Sequence, residues 1–192
     1  MKIERTSLKD LLILTPQSFS DERGYFMETY REDKLKDAGL THQFPQDSHS
    51  HSVKGVVRGL HFQWEPPMGK LVRVAQGEAF FAIVDIRKNS STFSKWIGIE
   101  VSADNKKQLF APPGFAFGFC ALSESVDVLY KQSTFHNQDG AGGILWNDSA
   151  IGIDWPISSP IISEKDASAE TLDKWLERPE SDLFNVPHQL PE

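Results

Sequence analysis

The middle of the chain alternates apolar and polar residues with a period of two, the pattern of strands that bury one face. Leu71 to Arg87 (LVRVAQGEAFFAIVDIR) predicts two strands around a turn at Gln76-Gly77-Glu78, and Trp96 to Ser102 (WIGIEVS) predicts a third. Lys107 to Phe110 runs into Pro112-Pro113-Gly114, strong turn chemistry. Phe117 to Leu122 and Val126 to Lys131 read as a further pair, split by the polar Ser123-Glu124-Ser125. Many short strands at turn-punctuated intervals point to a sandwich or closed barrel. Helices are expected only at the periphery, at Arg31 to Ala38 and at Ser168 to Leu176, the second with Ser168 or Thr171 as its cap. No repeat, low-complexity tract or linker interrupts the pattern, so residues 1–192 are expected to form one domain.

Charge and cysteine content narrow the class. A net charge of −7 argues against nucleic acid or an anionic membrane as a bulk partner, while leaving room for a small phosphorylated ligand held by a local pair of arginines. Cys120 is the only cysteine and cannot form an internal disulfide, which fits a reducing cytoplasm. The N-terminal MKIERTSLKDLLIL interleaves charges with apolar residues and does not read as a signal peptide, and no apolar run approaches a membrane span.

Five polar features stand out against the strands. Arg58-Gly59-Leu60-His61 places a cation and an imidazole three apart, which on a regular strand sends them to opposite faces unless the glycine kinks the path. Lys70 begins a hydrophobic strand, the place of a solvated strand end or of a cation turned inward. Tyr130 sits inside an apolar strand, where its hydroxyl needs a partner; this suits packing or acid catalysis. Asp166, in Ser163-Glu164-Lys165-Asp166, suits the start of a helix. His49 and His51 share a face by period two and invite a metal test, but a usable site needs further ligands. The segment Pro113-Gly114-Phe115-Ala116-Phe117 holds Phe117 where a barrel metal site of the PxGxxH type needs histidine, so no metal is expected. Spacing alone carries the argument to a mostly β domain with a polar interior.

Taken together, the segments resemble the dTDP-4-dehydrorhamnose 3,5-epimerase family from about Ile13 to Ala169. The resemblance rests on Asp21-Glu22-Arg23-Gly24, Phe26 with Glu28, Gln46-Asp47, Arg58-Gly59-Leu60-His61-Phe62-Gln63, Gly69-Lys70-Leu71-Val72-Arg73, Leu129-Tyr130-Lys131, Leu145-Trp146-Asn147-Asp148, Gly152-Ile153-Asp154-Trp155-Pro156 and Ser163-Glu164-Lys165-Asp166, in that order. It implies a mainly β, cupin-like jelly-roll barrel with short peripheral helices, a homodimer, and a nucleotide diphosphate sugar as substrate. It also implies a cofactor-independent isomerase that inverts C3 and C5 of a 4-keto-6-deoxy sugar on the route to dTDP-rhamnose and cell-surface polysaccharide. His61 is then the base, Asp166 its orienting partner, Tyr130 the acid, and Lys70 the cation facing O4. Arg23, Arg58 and Lys165 are expected on the diphosphate, with Phe26, Glu28 and Gln46 around the nucleotide.

The departures from the family pattern fall on ligand contacts. Phe117 stands where the family has a histidine, Ser48 where it commonly has asparagine, and Phe135-His136 where it often has two tyrosines, the second stacking on the base. Ala141 stands near a usual glutamate, and the stretch between His61 and Lys70 is one residue short. Such changes fit drift around one substrate. They also fit a single-centre C3 or C5 epimerase of a related dTDP- or CDP-linked deoxysugar. Phe117 in particular replaces a hydrogen-bonding ring with an apolar one. A non-catalytic nucleotide-sugar-binding cupin and a metal-dependent dioxygenase are the rivals from other classes. The first has no use for an intact His61, Lys70, Tyr130 and Asp166, and Phe117 speaks against the second.

Overall fold

The computed structural model describes residues 1–184. Its strands are β1 (Lys2–Arg5), β2 (Leu12–Thr15), β3 (Ser18–Asp21), β4 (Gly24–Met27), β5 (Gln46–Val53), β6 (Val57–Gln63), β7 (Lys70–Gln76), β8 (Glu78–Asp85), β9 (Trp96–Ser102), β10 (Gln108–Ala111), β11 (Phe115–Ala121), β12 (Ser125–Gln132) and β13 (Ala141–Gly143). Helices α1 (Glu32–Asp37), α2 (Glu164–Ala167) and α3 (Leu172–Glu177) are short, and a 3-10 turn follows at Pro179–Phe184. The strands form a six-stranded sheet in the order β1-β2-β10-β7-β12-β5, a five-stranded sheet in the order β13-β6-β11-β8-β9, and the separate β3–β4 hairpin. All pairings within the sheets are antiparallel.

Period two sorts the side chains into layers. Odd positions of β8 and β11 (Phe81, Ile83, Phe117, Phe119) meet Val72, Val74, Val126 and Val128 of the six-stranded sheet and fill the space between the sheets. Even positions (Ala82, Val84, Ala116, Cys120) point the other way, under a cover built from Ile144, Trp155, Trp175 and Phe184. Every residue of β11 is therefore buried, which explains why Phe115 to Ala121 reads as a continuous apolar run rather than an alternating one. A smaller cluster on the outer face of the six-stranded sheet packs Leu35 of α1 on Leu12, Leu14, Leu71 and Phe110.

The turn expected at Gln76-Gly77-Glu78 joins β7 to β8, with Gly77 at φ +78°. The last helix starts at Leu172 rather than Ser168, capped by Thr171, whose side chain accepts from the Lys174 amide. Ser163 caps the preceding single turn in the same way, accepting from the Asp166 amide.

One irregularity positions the chemistry. Phe117 pairs with His61 and Phe119 with Arg58, so two steps on β11 oppose three on β6. This is a β-bulge, and it brings Arg58 and His61 to the same side although they are three apart. Gly59 takes φ +125° there, and a Cβ at that position comes within 2.6 Å of Gly118 Cα and 2.8 Å of the Phe117 carbonyl oxygen. Gly59→Ala is expected to destabilise the fold by about 3 kcal/mol through backbone strain and overpacking, lowering Tm by roughly 6–12 °C in a thermal melt. An unchanged Tm sinks this account of the bulge.

Candidate active site

The bulge aims both a side chain and an amide at one carboxylate. His61 Nε2 lies 2.7 Å from Asp166 Oδ1, and the Gly59 N–H donates to Asp166 Oδ2 at 3.2 Å. Asp166 is 5 % exposed and arrives on α2 from the outer layer. Burial pushes its carboxyl up, but the bonds from His61, Gly59 and Ser163 outweigh this and hold it below the usual range. An ionised carboxylate accepting from Nε2–H leaves Nδ1 as the basic nitrogen of His61.

His61 opens onto a cavity of about 180 Å³ lined by Ser48, Arg58, Lys70, Phe117, Phe119, Tyr130 and Gln132. Arg58, His61, Phe117 and Phe119 come from the five-stranded sheet, whereas Ser48, Lys70, Tyr130 and Gln132 come from the six-stranded sheet facing it. The Lys70 ammonium donates to the His61 carbonyl at 3.3 Å and lies 5.7 Å from the centre of the Phe117 ring. Burial pulls its pKa down to about 8. Burial raises Tyr130 to about 12, against the opposing pull of a Ser50 hydrogen bond and the charge of Arg58. The Arg58 guanidinium is held by Ser52 Oγ at 3.0 Å and the His51 carbonyl at 3.1 Å.

The remaining expected ligand residues are distributed unevenly. Gln46 does not line the cavity but bonds to a residue that does, donating to Gln132 Oε1 at 3.0 Å, and it accepts from the His136 amide at 2.8 Å. The side chains of Phe135 and His136 are exposed. Lys165 is exposed beside Asp166. Arg23 and Phe26 sit on the β3–β4 hairpin and do not line the cavity: Arg23 pairs with Asp21, and Phe26 is 72 % exposed. Glu28 accepts from Lys34 at 2.8 Å. The sequence reading did not single out Gln132, Ser50 or Ser52. The serines were legible as alternate positions of one strand, and Gln132 stands two from Tyr130 and so shares its face.

His49 and His51 do face one side, outward, and both rings engage Asp127 Oδ1, at 3.1 and 2.8 Å. Among the described residues no group of three or more such side chains is arranged to hold a metal ion. A larger depression of about 330 Å³ is bordered by His49, Arg73, Leu129 and Lys131, where His49 shares Asp127 Oδ1 with His51. The cavity between the sheets differs in bringing an imidazole on a buried carboxylate together with an ammonium and a phenol. No helix among the described residues is long and apolar enough to cross a membrane.

An oriented imidazole, a cation and a phenol around one small cavity in a jelly roll define a proton-transfer enzyme acting on a carbon acid. The chain belongs to the dTDP-4-dehydrorhamnose 3,5-epimerase family, whose sequence profile matches residues 5–174. The dTDP-4-dehydrorhamnose 3,5-epimerase of Salmonella typhimurium is 50% identical over 179 residues, covering 92% of this chain and 98% of that protein. A crystal structure of dTDP-6-deoxy-D-glucose-3,5-epimerase from Legionella pneumophila Philadelphia 1, in complex with dTDP-4-keto-L-rhamnose, superposes with a TM-score of 0.87 at 40% identity, covering 90% of this chain and 93% of that one. A dTDP-4-dehydrorhamnose 3-epimerase from Streptomyces niveus is more distant, 31% identical over 174 residues, with 90% of this chain and 84% of that protein covered. The cupin-like jelly roll expected from the resemblance is the fold of this chain, shared with the Legionella enzyme.

Proposed function

We propose that the chain epimerises dTDP-4-dehydro-6-deoxyglucose at C3 and C5. The observation that carries this reading is the placement of His61 with Asp166 on one wall of the cavity and Tyr130 on the facing wall. Both carbons flank the C4 ketone, so the same base serves each in turn. His61 Nδ1 takes the proton, and the pair of the broken C–H bond moves into an enolate. The ionised Asp166 stabilises the imidazolium formed. The Lys70 ammonium stabilises the charge that builds on O4. Tyr130 then delivers a proton from the opposite wall, which inverts the centre. The reaction is redox-neutral, so it calls for no electron-carrying cofactor.

The cavity is smaller than a typical ligand pocket of about 300–1,000 Å³, which suits the sugar end alone. Arg58 stands at its edge as the diphosphate contact, joined by Lys165, and the nucleotide lies outward over Gln46 and His136. Phe19, Tyr25 and Phe26 expose aromatic surface on the hairpin and its flank, which supports a homodimer in which Arg23, Phe26 and Glu28 serve a neighbouring copy's ligand. The buried, unpaired Cys120 supports a cytoplasmic location on the route to dTDP-rhamnose and cell-surface polysaccharide.

Inversion at both centres is favoured over one by the nearer identity to the Salmonella 3,5-epimerase than to the Streptomyces 3-epimerase. Phe117 and Ser48 then stand as substitutions around a shared substrate. Incubation with dTDP-4-dehydro-6-deoxyglucose in deuterated water, followed by NMR and mass spectrometry, is expected to show deuterium at C3 and C5 of an inverted product. Deuterium at one carbon after complete reaction assigns a single-centre epimerase instead. No deuterium with this or related nucleotide sugars overturns the catalytic reading.

A further inference from the structure

From Ser48 on, strand β5 turns a serine inward at every second position, and each engages one group of the site. Ser48 Oγ donates to Gln132 Oε1 at 2.7 Å, Ser50 Oγ lies 3.1 Å from the Tyr130 hydroxyl, and Ser52 Oγ accepts from Arg58 Nε at 3.0 Å. The register fixes this set, with Ser48 opposite Tyr130 and Ser50 opposite Val128 on β12. Nothing in the mechanism above uses Ser50.

We infer that Ser50 is a positioning residue for the acid: its hydroxyl donates to the Tyr130 oxygen, aims the phenol's own hydrogen into the cavity, and stabilises the phenolate left behind. The inference rests on Tyr130 being the acid. Each hydroxyl has one hydrogen, so only one of the pair donates to the other. A Tyr130 that donates to Ser50 points its only proton at β5 and away from the substrate. The productive arrangement is the reverse. In the step itself, the enolate electron pair forms the new C–H bond with the Tyr130 proton, and the C4 carbonyl is restored. The O–H bonding pair stays on the phenolate oxygen, which keeps the Ser50 hydrogen bond until water returns a proton. Burial alone disfavours that phenolate, and a charge-assisted hydrogen bond is the available counterweight on this wall.

Deuterated water separates this role from packing. Removal of the substrate proton and exchange through His61 give wash-in of deuterium, whereas inversion also needs Tyr130. Ser50→Ala is expected to slow inversion about ten- to a hundredfold, the size of a hydrogen bond to a charged group. Wash-in and KM are expected to stay within about twofold, which also shows that the fold and base survive. Ser50→Thr, which keeps the hydroxyl, is expected to recover most of the inversion rate. Adding Ser50→Ala to Tyr130→Phe is expected to cost nothing further, because the two residues act as one unit. Inversion by Ser50→Ala at the wild-type rate, or parallel loss of wash-in and inversion, overturns the inference. If Tyr130→Phe itself inverts normally, the acid assignment falls with it. If Tyr130→Phe loses inversion and Ser50→Ala does not, only the role of Ser50 falls.

Discussion

Asp166→Asn is expected to lose about four orders of magnitude in both deuterium wash-in and inversion, close to the loss from His61→Ala. The reason is tautomeric. One carboxylate oxygen accepts from the Gly59 amide and the other from His61 Nε2. An asparagine has one acceptor and one donor end. Its carbonyl must face Gly59, since a buried N–H left against an NH₂ group is costly. The NH₂ then faces Nε2, which becomes an acceptor, and the ring proton moves to Nδ1. The nitrogen that should take the substrate proton is thereby blocked. The side chain keeps its shape, so Tm is expected to stay within a few degrees (roughly 1 kcal/mol). The check is a deuterium-exchange rate beside a thermal melt. An exchange rate within about tenfold of wild type removes Asp166 from its orienting role.

The second large effect pairs lost activity with gained stability. Lys70→Met is expected to lower kcat about a hundred- to a thousandfold, the usual consequence of removing one donor to a developing oxyanion, with little change in KM. It is also expected to raise Tm, because the ammonium lies in surroundings that pull its pKa down to about 8. The folded state thus penalises the charged form while the unfolded chain does not. Between about pH 8 and the ordinary lysine value of 10.5 the unfolded state binds more protons, so wild-type stability gains from Lys70 as pH rises through that window. Lys70→Met removes that gain. Catalysis runs the other way: the protonated form is the active one, and the wild-type rate is expected to fall as pH rises through about 8. A Lys70→Met protein that is less stable than wild type at pH 7 contradicts the desolvation argument. An unchanged alkaline limb contradicts the assignment of that limb to Lys70.

The sequence showed the half of the fold whose strands obey simple patterns. The turn at Gly77 and the strands β7 to β12 were readable because alternation and turn residues agree there. Strand β5 was not, because Gln46 to Val53 is polar on both faces: serines turn to the site and histidines to the outside. The same polarity hid Ser50 and Ser52, which matter for what they hold rather than for burial. The kink at Gly59 was anticipated from the clash between strand period and the spacing of Arg58 and His61, and the register confirms it. No such conflict marks Arg23, Phe26 or Glu28. Only the resemblance pointed to them, and within one chain they stand outside the cavity.

The bulge has a further consequence for how the site can be probed. Arg58 and His61 would share a face without any extra residue if the strand were one shorter, so bringing them together does not explain why β6 carries one. What the insertion adds is an amide released from the ladder, and Asp166 takes it. Half of the carboxylate's clamp is therefore main chain. Alanine scanning leaves that N–H in place and will credit the whole clamp to His61 and Ser163. Replacing the Gly59 amide with an ester, which deletes the hydrogen and little else, reaches the part of the active site that the side-chain alphabet cannot address.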